Sequence, residues 1–461
     1  MRVILHIGQH KTGSKALQSA LYASRGHLAE RGFVYPVAES PAGPLRPYHM
    51  NHHGLFEAVR AAVWEGSGPA SAPGVRACLH NLLAARPVAA ETVILSAEDL
   101  FDMHTAHEEG FTLELVAAGT RLLAHELAGL LARVTVVCYL RRQDHLLAAH
   151  YAQFIKGSNR NHLSFREFHA AFAPRLAADP ILACWEAAFG TTAMIVCPYE
   201  PVAMPGGIVA DFFKRALRLE PPPVRTPYPD DLEAHNVTPS RDYLEFMRLL
   251  NRRSAAGRPV LPREHVLEAA FRDRSSPAVG VAGWLSPGER NELLTSHEPG
   301  NRRIAARHGL GQTFYREPVP DTAAPWTPPR PPGLRRLVEL ELLSRATATL
   351  RPAPRGSRRR VRRRPRQIIW IESPQRQPAD NALAAELFGT VAGHPDFEPV
   401  ILPRLGLGDL LARWHRVAVV VLVGPATGGR LEAAWLWTLW ACKTRVVRAG
   451  EGPLFEEIAP A

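Results

Sequence analysis

His6-Ile7-Gly8-Gln9-His10-Lys11-Thr12-Gly13-Ser14-Lys15-Ala16-Leu17-Gln18, "HIGQHKTGSKALQ", follows the first five residues of the chain. Gly8 and Gly13 have the spacing of a phosphate-binding loop, but Ser-Lys comes next where the loop of an ATPase or GTPase has Lys-Ser/Thr. Upstream, Val3-Ile4-Leu5 is a short apolar run suited to a buried parallel strand. Downstream, Leu17, Ala20, Leu21, Ser24 and Leu28 recur at the spacing of one helix face. The loop is therefore expected to join a strand to a helix N-terminus, where unpaired backbone N–H groups and the positive end of the helix dipole make an anion site. Lys11 and Lys15 add ammonium groups to it, and Thr12 and Ser14 add hydroxyls. The chain has five lysines, at 11, 15, 156, 214 and 443, against fifty arginines, so two of the five in one turn argue for a role.

Two further runs end in charge. Thr92-Val-Ile-Leu-Ser-Ala-Glu-Asp99 closes on a carboxylate pair, and Val134-Thr-Val-Val-Cys-Tyr-Leu-Arg-Arg142 closes on two guanidiniums. Ligands of doubly wound sheets bind beyond the carboxyl ends of the strands, so both ends are expected in one crevice with Lys11. Glu98-Asp99 keeps a metal-assisted NTPase or kinase open. The arginines instead suit a second phosphate. One anion at a helix start and another at an arginine call for a ligand phosphorylated at two separate places.

At 461 residues and 46% hydrophobic content the chain is long enough for two or three packed units. There is no run of about eighteen apolar residues and no apolar leader before the first strand, so a cytoplasmic protein without a membrane span is expected. Cysteines 78, 138, 184, 197 and 442 form no C-x-x-C pair, which argues against a disulfide framework or a zinc site. The net charge of +11 is local: between Arg351 and Arg366 nine of sixteen residues are Arg and none is acidic. Dense like charge with Pro and Gly is expected to stay an unpacked tether, available for non-specific contact with polyanions. Pro-rich Pro318–Pro332 is expected to close the preceding domain. From Gln367 strand-like runs alternate with helix-like ones, "IIWIE", "PVILP", "VAVVVLV" and "TRVVRAG" being the strands, the pattern of a small parallel α/β unit of open role. The expected layout is 1–317, a linker over 318–366, and 367–461.

"HIGQHKTGSKALQ" resembles the 5′-phosphosulfate loop of PAPS-dependent sulfotransferases, Lys-Thr-Gly followed by hydroxyl residues. "YLRRQDHLLAAHY" resembles their 3′-phosphate element, an Arg at a strand end, a Ser eight residues on and a Tyr two beyond; these positions hold Arg141, Ala149 and Tyr151. Weaker likenesses to bacterial sulfotransferase-like proteins, "VILSAEDLF", "AMIVCPYE", "HNVTPSRDYLEFMRLLNR" and "GNRRIAARHG", extend it over about residues 1–315. The resemblance implies a P-loop-type parallel sheet flanked by helices, PAPS as sulfuryl donor without a required metal, and a carbohydrate acceptor. It implies cofactor contacts from Lys11, Thr12, Gly13, Ser14, Lys15, Ala16, Arg141 and the position of Ala149. Two departures stand out. Ala149 lacks the serine hydroxyl, leaving Arg142 or His150 as substitute donors, and Lys15 replaces a hydroxyl residue.

Sulfuryl transfer moves a group of low charge, so lysine and backbone donors can stabilise its transition state, with Lys11 at the leaving oxygen. The acceptor needs a base. Glu98, leaving a strand at the crevice, is one candidate; His53, in "YHMNHHGLFEAV" with His49 and His52, is another. Two other readings remain, a P-loop kinase or NTPase, and a degenerate sulfotransferase-like module that binds without turnover.

Overall fold

The structure is a computed structural model and describes residues 1–37, 50–64, 73–84, 91–104, 111–157, 161–221, 238–257, 260–272, 279–327, 332, 336–337, 340 and 343–344, and the strands at 366–372, 397–402, 417–423, 445–449 and 456–457. Two compact units make up the chain, Met1–Thr238 with Val279–Pro329, and Pro239–Ala278 with Arg330–Ala461. The first contains β1 (Arg2–His6), α1 (Ser14–Ala23), α2 (Arg25–Ala29), β2 (Phe33–Val34), α3 (His53–Trp64), α4 (Pro73–Ala84), β3 (Thr92–Ser96), α5 (Leu113–Gly129), β4 (Arg133–Leu140), α6 (Gln143–Lys156), α7 (Phe165–Leu176), α8 (Ala178–Phe189), β5 (Met194–Pro198) and α9 (Gly207–Phe212). After α10 (Arg241–Ala255) and α11 (Arg263–Arg272) of the other unit, the chain returns to it with α12 (Pro287–Arg307).

The sheet of the first unit runs β2-β3-β1-β4-β5 and every pairing is parallel, the α/β architecture that the sequence leads one to expect. β1 is central, with His6 level with Ser96 of β3. Strict alternation divides the strands between two cores. Val3, Leu5, Val93, Leu95, Val136, Cys138, Leu140 and Val196 belong to one, while Ile4, Ile94, Val137, Tyr139 and Cys197 belong to the other. Helices cover both faces: α3, α5 and α8 contribute Phe56, Leu123 and Trp185 to the first core, and α1 and α9 contribute Leu17, Leu21 and Phe212 to the second. This double burial is why the strands read as continuous apolar runs. Leu17, Ala20, Leu21, Ser24 and Leu28 are all buried as their spacing predicts, although the helix restarts at Ser24.

Capping boxes start two helices: Ser164 with Glu167 opens α7, and Ser286 with Glu289, followed by Pro287, opens α12. α12 then packs on α6 through charge. Asp144, fully buried, accepts from Arg142 Nε and Nη2 at 2.9 and 3.0 Å and from Arg290 Nη2 at 2.8 Å. Arg142 also donates to the Glu317 carboxylate at 2.9 Å and to the main-chain carbonyls of Glu317 and Pro318. Burial alone would raise the Asp144 carboxyl, but Arg142, His145 and Arg290 hold it below the usual carboxylate range. The beginning of the Pro-rich segment is thus pinned to the domain, and Trp326 further along donates to the Ala282 carbonyl.

In the second unit β6 (Arg366–Glu372), β7 (Phe397–Leu402), β8 (Val417–Val423) and β9 (Arg445–Ala449) pair in parallel in the order β9-β8-β6-β7, and β10 (Glu456–Glu457) adds an antiparallel edge to β9. The four strands anticipated from the sequence are present; the antiparallel edge was not anticipated. The helix-like runs between them and the tether up to Pro365 lie outside the described residues. Cys78, Cys138, Cys184 and Cys197 are free thiols, and no described helix is long and apolar enough to cross a membrane.

Replacing Asp144 by Ala leaves the buried Arg142 without its bidentate partner and is expected to cost about 3–5 kcal/mol. Urea denaturation followed by tryptophan fluorescence checks this, with Asp144→Asn expected to fall between the two.

Candidate functional site

β1 ends at His6, and the loop Ile7–Gly13 leads into α1 with Gly13 as its N-cap. Two loop residues have left-handed backbone, Lys11 at φ 67° and Gly13 at φ 79°. For a lysine that conformation is uncommon and costs on the order of 1–3 kcal/mol, a strain that recurs at functional sites. The glycines are required for different reasons. A Cβ on Gly8 would lie 2.6 Å from His6 Nε2, and one on Gly13 would lie 3.2 Å from the Tyr199 hydroxyl besides the positive φ.

Leu17 N–H is the first in α1 to find a main-chain acceptor, the Gly13 carbonyl. The N–H groups of Ser14, Lys15 and Ala16 are therefore left at the helix start, and no acidic side chain occupies the first turn. Ser14 Oγ is buried with no hydrogen-bond partner among the described residues. A buried hydroxyl without a partner is costly, and an anion at the helix start would satisfy it. The Thr12 hydroxyl is instead spent within the loop, donating to the Gln9 carbonyl at 2.5 Å, and Lys15 and Ala16 have exposed side chains.

Lys11 points to α6. Its ammonium donates to Gln153 Oε1 at 2.7 Å, and Lys156, 8% exposed, sits one turn beyond Gln153. Arg141 closes the loop from β4: its N–H donates to Gln9 Oε1 and its Nη1 to the Lys11 carbonyl, both at 2.9 Å. Its guanidinium lies 5.8 Å from the centre of the Tyr199 ring. Burial pushes the Lys11 ammonium down, and the charges of Lys156, Lys15 and Arg141 push it further, to about 7, with Glu98 opposing them. Burial likewise lowers Arg141. Crowded cations of this kind are relieved by a bound anion.

The other side of the loop carries histidines and carboxylates. Glu98 Oε2 accepts from Gln18 at 2.6 Å, and Gln18 also reaches Ser96 Oγ, which bonds His6 Nδ1 at 2.8 Å. Asp99 bonds His53 Nδ1 at 2.8 Å through one oxygen, and its other oxygen lies 3.5 Å from His10 Nε2. His10 donates to the His104 carbonyl at 2.9 Å, and Asp102 beside it pairs with Arg175 at 2.7 Å. The His53 ring is 38% exposed, and its Nε2 meets Glu57 at 3.0 Å. The Asp99 hydrogen bond raises His53 against the effect of burial, and the charges of Asp99, Glu57 and Glu98 add to the rise. Burial would raise Asp99, but His53, His10 and Arg175 hold it low.

Lys11, Arg141, Glu98 and His53 thus converge at the carboxyl edge of the sheet. Ala149 is half-buried on α6, one turn before Gln153, and offers no donor. The two substitutes considered for it are both buried. Arg142 is committed to Asp144 and Glu317, and His150 is buried with its ring 4.5 Å from Phe172. Tyr151 is fully buried and donates to the Leu163 carbonyl. His52 is a core residue: its Nδ1 accepts from Ser96 N–H, its Nε2 donates to the Pro36 carbonyl, and burial lowers it to about 4. His49 lies outside the described residues. Gln153, Lys156, Gln18 and Tyr199 are additions that the sequence did not single out. Gln153 could have been found from the four-residue spacing 145, 149, 153 behind Arg141.

No family model matches the chain, and no curated protein matches it significantly. Among solved structures, a crystal structure of a sulfotransferase from Alicyclobacillus acidocaldarius is similar, with a TM-score of 0.31 and 12% identity over 59% of this chain and 99% of that one.

Because Lys11 is cationic below about 7 and neutral above it, an anion that does not itself titrate should bind more strongly in acid. Sulfate is expected to raise the melting temperature more at about pH 6 than at about pH 8.5. Lys11→Met is expected to remove most of that difference, as scanning fluorimetry would show.

Proposed function

We propose that the chain is a PAPS-dependent sulfotransferase acting on a hydroxyl or amine, with a carbohydrate as the acceptor. The observation that carries the reading is the buried Ser14 hydroxyl, without a partner among the described residues, at the start of the helix that follows Lys11, whose ammonium feels the charges of Lys15, Arg141 and Lys156. This donor set fits a ligand with a phosphosulfate at one end and a second phosphate at the other, and the motif resemblance names such a ligand. PAPS, when bound, supplies the sulfuryl group and departs as PAP.

The residues of the chain divide the remaining work. The Ser14 hydroxyl and the N–H groups of Ser14, Lys15 and Ala16 hold the phosphosulfate. Lys11 leaves Gln153 and donates to the oxygen between phosphorus and sulfur, where charge develops as the bond breaks. Arg141 reads the second phosphate as a charge-assisted donor. His53 takes the proton of the acceptor. It suits that role better than Glu98, whose carboxylate is bonded to Gln18, whereas the His53 ring is partly exposed and held by a carboxylate. The kinase reading is weaker: the residue after Gly13 is Ser rather than Lys, and both strand-end carboxylates have partners within the protein. The degenerate module keeps one point in its favour, the missing hydroxyl at Ala149.

PAP without magnesium is expected to stabilise the protein in a thermal shift more than ATP with magnesium does; the reverse ranking would select the kinase reading. Lys11→Ala should lower turnover on the order of a hundredfold or more with the fold intact. By calorimetry the native protein is expected to prefer PAP over adenosine 5′-phosphosulfate. Arg141→Ala should erase that preference, and Ala149→Ser should enlarge it by about 1 kcal/mol. Binding of PAP with no sulfation of any acceptor tested would favour the module.

Turnover relative to substrate affinity requires neutral His53 and cationic Lys11. The value of kcat/KM should therefore rise with pH through the elevated His53 titration and fall as Lys11 loses its proton, giving a narrow maximum. With donor bound, its anionic charge raises Lys11, so the falling limb of kcat should lie at higher pH than that of kcat/KM. Limbs at the same pH in both profiles would exclude Lys11 as the group responsible.

A further inference from the structure

The acceptor side of the site holds more than one histidine and one base candidate. Asp99 leaves the end of β3 in a short turn, is almost fully buried, and touches two histidines with its two oxygens: His53 Nδ1 at 2.8 Å and His10 Nε2 at 3.5 Å. A carboxylate oxygen at 2.8 Å fixes the His53 tautomer, because only an N–H can face it. The Nε2 lone pair of the neutral ring is then turned away from Asp99. His10 is itself fixed by donating Nε2–H to the His104 carbonyl, and it immediately precedes Lys11.

We propose, resting on the sulfotransferase reading, that Asp99 is the positioning residue of the acceptor base: it holds His53 by Nδ1, so that Nε2, once the Glu57 carboxylate has moved aside, accepts a proton, and through His10 it ties that base to the loop that carries Lys11. As the bond between the acceptor oxygen or nitrogen and sulfur forms, the proton of the acceptor passes to His53 Nε2. The electron pair of the broken sulfur–oxygen bond goes to the 5′-phosphate oxygen beside Lys11. The proton leaves His53 for solvent after product release. Glu57 is the natural competitor. Its carboxylate, 54% exposed, lies 3.0 Å from His53 Nε2, an arrangement that suits the protonated ring and must open when the acceptor arrives.

The charged and titratable groups facing His53 come from three elements: Glu57 from its own helix α3, Asp99 and Glu98 from the turn after β3, and His10 from the loop, acting through Asp99. Arg175 of α7 and Asp102 complete the surroundings of Asp99 and oppose one another at 2.7 Å. The three carboxylates that act on His53 favour its charged form, so the ring should titrate above the ordinary value of about 6.5.

The experiment reads the His53 ring directly by NMR titration, with His53→Gln identifying the resonance, alongside pH profiles of turnover and PAP calorimetry. In the native protein the midpoint is expected above about 6.5, and Asp99→Asn should lower it on the order of one pH unit. The rising limb of kcat/KM should move down in step and kcat should fall at least tenfold, while PAP affinity stays within about twofold. Glu57→Gln should lower the midpoint less and leave kcat nearly unchanged, because its carboxylate is half exposed. A native midpoint at or below about 6.5 overturns the proposal, and so does an Asp99→Asn protein whose midpoint does not move. If Asp99→Asn does not fold, the native midpoint decides. Absence of any sulfation by the native protein would count against the function, and the ring titration would still decide the pairing.

Discussion

Three hydrogen bonds sew the loop after β1 to the end of β4, and the geometry of the site depends on them. Gln9 N–H donates to the Tyr139 carbonyl, the Gln9 side chain accepts the Arg141 N–H, and Arg141 Nη1 returns to the Lys11 carbonyl. Gln9 is 3% exposed, so the two bonds it makes are largely sheltered from water, where an unmade one costs about 1–3 kcal/mol. The clamp holds Lys11 in its left-handed conformation and keeps Arg141 level with the loop. Without it, neither the helix start nor the arginine would have a fixed place relative to the other, and a ligand with two anionic ends needs both at once.

Charge is separated across this clamp. On the α6 side lie Lys11, Lys15, Lys156 and Arg141; on the β3 side Glu98, Asp99, Glu57 and Asp102 are threaded among His53, His10 and Arg175. Keeping the cations together in a half-buried place is unfavourable in the absence of an anion, and the protein relieves part of that cost by letting Lys11 titrate near 7. The carboxylate side is compensated internally, each acid having a hydrogen-bonded partner. One half of the site thus gathers cations and the other pairs carboxylates with histidines, the division that the proposed transfer from an anionic donor to a neutral acceptor would use.

Much of the frame was legible because it follows from short-range rules. Val3-Ile4-Leu5 and Val134–Leu140 read as buried parallel strands because both faces are covered, and Leu17, Ala20 and Leu21 read as a helix face because they meet one core. The convergence of Lys11, Glu98 and Arg141 was legible for a topological reason: parallel strands deliver their carboxyl ends to one edge. Contacts made across the fold were not. Gln153 reaches Lys11 from 142 residues away, and only its helical spacing behind Arg141 marks it. Ser14 and Thr12 look equivalent in the sequence, yet the Thr12 hydroxyl is turned back into the loop and the Ser14 hydroxyl is left without a partner among the described residues.

Neighbouring identical residues show the same limit most clearly. Arg141 and Arg142 are indistinguishable on paper, as are His52 and His53. In each pair the chain is changing direction, from strand to helix or from loop to helix, and successive side chains leave on different sides. Arg142 turns inward onto Asp144 and the start of the Pro-rich segment, so it holds α6 and α12 together, while Arg141 stays with the loop. His52 turns inward onto Ser96 and Pro36 and is held neutral by burial, while His53 stays at the crevice and has its pKa raised by the Asp99 hydrogen bond. In both cases the inward residue fixes the element on which its neighbour stands. The core arginine and core histidine are therefore part of how the site is positioned, although neither is placed to touch a ligand, and a substitution at either should disturb the site through the frame.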